Sequence, residues 1–338
     1  MLQLSEFFGT GRVILLVGAI LLYVCSRVGA GELEGFEHRS AGRRAMANWF
    51  PIAAAAVVAI AIHRADWALS IIFATSIGCL SLLVGAISLV SPDYDTAPAE
   101  RRLWPFLLPA ALLALLVGFT GNLSWRNAGL LLIEGAALLY AWVEWSASRE
   151  AVIRVRHVNF RDFRWVNTAI CIVMGLIGAI ALVIGTQRIS EEAAQVPGAT
   201  VVVTVLAPLL ILPMLTAGAD LAKKNRTAEA LTSAIAVVLL NLCLLLPMTA
   251  LLWYPAQTVS GSVLTKITIH PGAIRDATPM PFGWVTWRVD NVLLVVLAIA
   301  LFPAALGRWR LGRAEGLALI ALYGAYVLME TAGSLRWL

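Results

Sequence analysis

Hydrophobic residues fall along this chain in long runs with few charges inside them, and polar stretches separate the runs at near-regular intervals. Apolar runs near 20 residues are long enough to cross about 30 Å of hydrocarbon as helix. They lie at roughly 11–29, 47–63, 68–91, 104–121, 127–145, 166–186, 200–221, 229–253, 289–307 and 313–331. A bilayer core offers no water to the backbone, so each run must satisfy its own N–H and C=O groups, which a helix does. The pattern therefore predicts an all-α integral membrane protein of about ten transmembrane helices. Val28-Gly29-Ala30, at the end of the first run, resembles a small-residue cleavage site. Arg27 directly before it, and a repeat that needs this helix, argue for a retained span.

Two runs carry a proline inside them: NWFPIAAAAVV at 48–58 and ILPMLTAGA at 211–219. Proline lacks a backbone donor and crowds the preceding turn, so within hydrocarbon it survives where the freed carbonyl finds a partner or faces a cavity. Pro51 and Pro213 are thus expected to mark equivalent broken helices, spans two and seven, and paired broken helices are a transporter signature.

The rest of the composition agrees with the membrane assignment. Of 338 residues, 60% are hydrophobic and 13% charged, far from the balance of a soluble globular domain. Cys25, Cys79, Cys171 and Cys243 all lie inside predicted spans without ligand spacing, so disulfides, metal clusters and cofactors are not expected. The net charge of +5 is spread over connections instead of gathered on one face, and nucleic acid is excluded as a partner. Of 25 basic residues, 17 lie in the odd-numbered connections, which places those inside and both termini outside.

The chain also repeats itself. An offset of 162 residues puts Pro51 on Pro213, Ala55 on Ala217, Arg64 on Arg226, Ala68-Leu69 on Ala230-Leu231, and Leu80, Leu82, Leu83 and Leu89 on leucines, with no gap from 51 to 90. A second pair, RNAGLLLI at 126–133 and RAEGLALI at 313–320, repeats at an offset of 187. The halves are expected as a five-helix repeat over 1–145, a cytoplasmic basic linker over 146–165, and a second five-helix repeat over 166–338 with an external loop at 254–288. Five is odd, so the second half enters the membrane from the opposite side, giving two inverted five-helix repeats.

Taken with the prolines and the motif positions, this pattern resembles the sodium/calcium exchanger, or cation/calcium antiporter, superfamily. That family has five plus five inverted spans, outside termini in its short bacterial members, and a Gly-Thr-Ser-x-Pro-Glu-like motif followed by a Gly-Ser-Asn-x-x-Asn-like motif in each repeat. Pro51 and Pro213 match the family's proline, ATSIGC at 74–79 and AVVLLN at 236–241 fall where the second motif lies, and Asn241 keeps its second asparagine. The resemblance implies a bacterial-type plasma membrane and ion antiport by alternating access. It fails at one chemical point. The family's glutamate follows the proline in each repeat and holds the cation, whereas this chain has Ile52 and Met214. Calcium wants six to eight oxygens including carboxylates, so calcium exchange is not carried over.

At the matching positions stand Asn48, Thr75, Ser76, Thr216 and Asn241, together with the carbonyls freed by Pro51 and Pro213. Neutral oxygens of this kind suit a monovalent cation or a small polar solute. They equally suit ordinary polar contacts between packed helices. Glu134, in LLLIEGAALLY of the fifth span, is the acid placed deepest by sequence, either titrating a proton or paired within the bundle. His63, Glu144, Glu229, Asp290 and Glu330 lie near span ends, where snorkelling to the interface suffices. Within 254–288, KITIH at 266–270 alternates like a short strand, and the loop is expected as a lid or as a docking surface for a membrane partner protein. No Walker loop, nucleophile elbow or metal-spaced histidine marks an enzyme. Two functions remain: an exchanger-like secondary transporter, and a non-transporting scaffold or partner-binding subunit on the same fold.

Overall fold

The structure is a computed structural model, and it describes residues 10–33, 40–92, 100–150, 165–192, 196–257, 259–260, 268–269, 278–283, 286–305 and 310–335. Among the described residues ten helices follow one another: α1 Thr10–Leu33, α2 Ser40–Ala61, α3 Ala65–Val90, α4 Glu100–Gly118, α5 Trp125–Glu150, α6 Trp165–Glu192, α7 Gly198–Lys223, α8 Thr227–Ala256, α9 286–305 and α10 Arg313–Leu335. Each apolar run corresponds to one of them. Five stretches, 65–90, 173–192, 198–223, 227–256 and 313–332, are long and apolar enough to cross a membrane, and 11–24, 45–61 and 103–118 are shorter apolar stretches. Large apolar side chains such as Leu16, Ile20, Leu116, Ile133, Ile177 and Leu328 point outward, which suits a lipid solvent and would be costly in water.

The inverted repeat is written into the backbone as well as the sequence. His63 and Asn225 both take positive φ, 59° and 57°, at the turn ending α2 and α7, and they stand at the same offset of 162 as the prolines. Arg64 and Arg226 follow as the residues before the next helix, each bridged to an acid of that helix's first turn: Arg64 to Asp66 at 3.0 Å and Arg226 to Glu229 at 2.7 Å. Farther along, α3 widens into a π-helical turn at Cys79–Leu83 and α8 does so at Asn241–Leu245, again in register. In both, the N–H that closes the wide turn reaches five residues back, from Val84 to the Cys79 carbonyl and from Leu246 to the Asn241 carbonyl.

The prolines do not break their helices, contrary to the expectation from sequence. α2 runs unbroken through Pro51 and α7 through Pro213. Each proline removes one N–H, leaving a single carbonyl a turn earlier without its helical partner, and the rest of the ladder continues on both sides. The irregular backbone lies elsewhere, in the wide turns of α3 and α8, at Val202–Leu206 just ahead of Pro208 in α7, and at Thr286–Asn291 opening α9.

Close approach of backbones holds the bundle together, as small residues allow in membranes. α1 and α6 run antiparallel along one another, and a Cβ on Gly18 would lie 2.9 Å from the Gly178 carbonyl oxygen. α10 rests on α3 in the same way, since a Cβ on Gly85 would lie 2.7 Å from the Gly316 carbonyl oxygen. On one side of the bundle two short ladders tie the connections. β1 Asn122–Leu123 pairs with β4 Met280–Pro281, and β2 Val259–Ser260 pairs with β3 Thr268–Ile269, all antiparallel. β3 is the described part of the KITIH stretch. Much of the 254–288 connection, and 151–164 of the basic linker, lie outside the described residues.

Candidate transport site

Three of the polar residues singled out from sequence meet where α3 crosses α8. Asn241 donates through Nδ2 to Thr75 Oγ1 at 3.1 Å and to Ser76 Oγ at 3.1 Å. Each hydroxyl spends its own hydrogen on a carbonyl one turn back, Thr75 on Ile71 at 2.6 Å and Ser76 on Ile72 at 2.7 Å, which leaves its oxygen lone pairs to accept the amide. All three side chains are fully buried at 0% exposure. One acceptor is left over: Asn241 Oδ1 is buried with no hydrogen-bond partner.

The cluster joins the two repeats unequally. Asn241 opens the wide turn of α8 and stands in register with Cys79, while Thr75 and Ser76 stand in register with Val237 and Val238. One repeat thus supplies two hydroxyls and the other a single amide. A polar group in an apolar interior is tolerable when hydrogen-bonded, so this contact locks the crossing without any charge.

The remaining candidates are not part of it. Asn48 is half-buried on α2, and Thr216 donates to the Pro213 carbonyl at 3.0 Å. Pro51 is half-buried and Pro213 buried. Ile52 and Met214, where the exchanger motif has carboxylates, are 0% and 2% exposed and belong to the continuous apolar core. Glu134 sits half-buried on α5 close to Cys243 of α8, and its Oε2 is buried without a partner. Pro247 has no N–H for the Cys243 carbonyl, and Gly135 lets α5 approach that oxygen: a Cβ there would lie 2.6 Å away. An apolar cleft of about 190 Å³ opens beside this contact, lined by Leu103, Phe106, Leu132, Leu240 and Leu244.

One polar group was misplaced by sequence reasoning. Asp290, expected to snorkel from a span end, is 3% exposed, because the segment 286–291 packs against α3 and α4 and Asp290 lies on its covered side while Arg288 is exposed. The signal available was the acid-amide pair Asp290-Asn291 heading an otherwise apolar run. Among the described residues no group of three or more His, Cys, Asp or Glu gathers as a metal centre.

Comparison with known proteins places this geometry. The profile of the sodium/calcium exchanger protein family matches residues 164–332. Among curated proteins none matches the chain. Among solved structures, the sodium-calcium exchanger NCX_Mj soaked with 2.5 mM Na⁺ and 10 mM Sr²⁺ is similar over 97% of this chain and 99% of its own, at 18% identity and a TM-score of 0.59. The same exchanger soaked with 10 mM Na⁺ and zero Ca²⁺ covers 94% and 98% at 19% identity, with a TM-score of 0.61. The H⁺/Ca²⁺ exchanger CAX is similar over 99% of this chain and 88% of its own, at 11% identity and a TM-score of 0.66. At such identities these structures speak to the fold alone.

Proposed function

Because the chain belongs to the sodium/calcium exchanger family, a family of secondary transporters built on inverted repeats, we propose that it moves a monovalent cation or a small polar solute by alternating access and does not exchange Ca²⁺. The observation that carries this reading is the neutral cluster of Asn241, Thr75 and Ser76 at the crossing of the two repeats, with Ile52 and Met214 in place of carboxylates. A divalent ion brought among these groups would lose its hydration shell without any countercharge, at a cost far above what one amide oxygen returns. A monovalent cation or a hydrogen-bonding solute loses less and can use Asn241 Oδ1, the one buried acceptor the cluster leaves free.

In this reading α1 and α6, packed along one another through glycine contacts, move as one body across the remaining helices and expose the crossing to each side in turn. Thr216, Asn48 and the carbonyls near Pro51 and Pro213 line the path without holding the solute. Both termini and the 254–288 connection face outward, and the basic linker faces the cytoplasm.

A second reading is supported by the closure of the same cluster. Buried Ile52 and Met214 belong to the apolar core, and both hydrogens of the Asn241 amide already meet the two hydroxyls, as suits a scaffold. The 254–288 connection is then the docking surface for a membrane partner.

Uptake of radiolabelled Na⁺ into proteoliposomes separates the two. The transporter reading predicts saturable uptake by the native chain and a drop of about tenfold or more in Asn241→Ala, which removes the amide at the crossing. A native chain silent for Na⁺ and for small polar solutes favours the scaffold.

A further inference from the structure

The interior's least satisfied polar side chains lie away from the repeat crossing, where α9 and α10 both lean on α3. Asp290 and Asn291 close the π-helical opening of α9, and Tyr323, Tyr326 and Glu330 lie along successive turns of α10. Asp290 is 3% exposed, Asn291 0% and Tyr326 1%. Five buried polar atoms have no hydrogen-bond partner there: Asp290 Oδ1, Oδ1 and Nδ2 of Asn291, and the hydroxyls of Tyr323 and Tyr326. The Tyr326 hydroxyl lies beside Asp290 without meeting it in hydrogen-bond geometry, and Glu330, half-buried, is near both. The Tyr323 and Tyr326 rings are 6.1 Å apart, and Tyr323 reaches down to Gly78 and Cys79 of α3.

A carboxylate buried in an apolar interior must be neutralised, by a basic partner, a proton or a bound cation. The titratable groups facing Asp290 are Glu330 and Tyr326, neither of them basic. A proton on Asp290 would serve one acceptor at most, and leave the others among the Asn291 amide oxygen and the two phenols as they are. A cation draws several oxygens to itself at once. The one fully buried carboxylate, with neutral amide and phenol oxygens beside it, balances a single positive charge, and half-buried Glu330 stands at the edge where its own charge meets solvent; Ca²⁺ would need more ligands, and Mg²⁺ a stricter octahedral shell.

We propose that Asp290, Asn291 and Tyr326, with Glu330 at the half-buried mouth, form a binding site for one monovalent cation of the size of Na⁺, distinct from the Asn241 crossing. The site goes beyond the transport reading and stands whether or not the crossing carries solute. Tyr323 completes its inner wall and links it to α3, the helix that also bears Thr75 and Ser76.

The test is thermal unfolding of the purified full chain in detergent, with Na⁺ replacing N-methylglucamine at constant ionic strength. Na⁺ at about a hundredfold its Kd is expected to raise the native Tm by about 5 °C. Asp290→Asn loses that shift, Tyr326→Phe needs about three- to tenfold more Na⁺ to reach it, and Leu328→Ala, on the outward side of α10, keeps it. The Tyr326→Phe variant carries the test if Asp290→Asn does not fold. No Na⁺ shift in the native chain overturns the proposal, as does a shift kept in both Asp290→Asn and Tyr326→Phe, or one produced equally by choline. A native chain indifferent to Na⁺ but stabilised by acid through Asp290 assigns the site to a proton and overturns it too. Flux plays no part in the readout, so a silent proteoliposome and an absent Na⁺ shift are separate failures.

Discussion

Asn241, where α8 crosses α3, gives both amide hydrogens to hydroxyls whose own hydrogens are committed to the helix, and a single oxygen is left over. Asp290, where α9 leans on the same helix, is buried as deeply yet leaves its Oδ1 unpaired, and the amide beside it uses neither of its polar atoms. Both clusters touch α3, and both interrupt an otherwise apolar core. The first closes on itself without charge and can hold two repeats together dry. The second buries an acid without closing on itself, and it is there that the proposed cation would sit. An exchanger fold can thus lose the carboxylates at its repeat crossing and still keep a buried carboxylate elsewhere on the shared helix.

The hardest way to break this contrast is to put charge into the apolar core that the closed cluster interrupts. Ile52→Glu buries a carboxylate at a position with no exposure, and is expected to destabilise the chain by about 3–5 kcal/mol. Size-exclusion chromatography in detergent should show most of the protein aggregated. Gly85→Val comes next, since its side chain would start 2.7 Å from the Gly316 carbonyl oxygen and force α10 off α3. A loss of about 3 kcal/mol is expected, read as a lower melting temperature, and the Na⁺ response should vanish with it because α10 carries Tyr326.

Milder changes sharpen the contrast. Asn241→Leu removes two hydrogen bonds but leaves Thr75 and Ser76 still bonded to Ile71 and Ile72, and it also removes the unpaired Oδ1. The net loss should be about 1 kcal/mol by thermal unfolding without Na⁺. Asp290→Asn should act in the opposite direction under those conditions. Replacing an unneutralised buried acid by an amide is expected to raise the melting temperature, by the equivalent of about 1 kcal/mol.

Most of the fold was legible because lipid imposes one rule on every span, so each apolar run became one helix and the register of 162 carried through to His63 and Asn225, Arg64 and Arg226, and the two wide turns. The prolines misled, because their conspicuous chemistry disturbs one hydrogen bond, whereas the wide turns have no comparable mark beyond Pro208 and Pro247 near two of them. Of the candidate site, Thr75, Ser76 and Asn241 were singled out through their match to the exchanger motif positions, and the structure brings these three side chains together. Asn48 and Thr216 were grouped with them as standing at the motif positions around the prolines, but they do not join the cluster. Glu134 lies near the crossing helix through Cys243 without joining the cluster. Asp290 was discounted for standing near a span end, and position along a helix says nothing about which neighbours cover it.

The central claim is that an exchanger fold here works without divalent charge compensation at its repeat crossing. Radiolabelled Ca²⁺ uptake into Na⁺-loaded proteoliposomes tests it most directly, with the native chain beside an Ile52→Glu, Met214→Glu double variant purified in Ca²⁺ and taken from its monodisperse fraction. The native chain is predicted to show no saturable uptake, and any uptake to appear in the double variant alone. Saturable, Na⁺-driven Ca²⁺ uptake by the native chain would contradict the account.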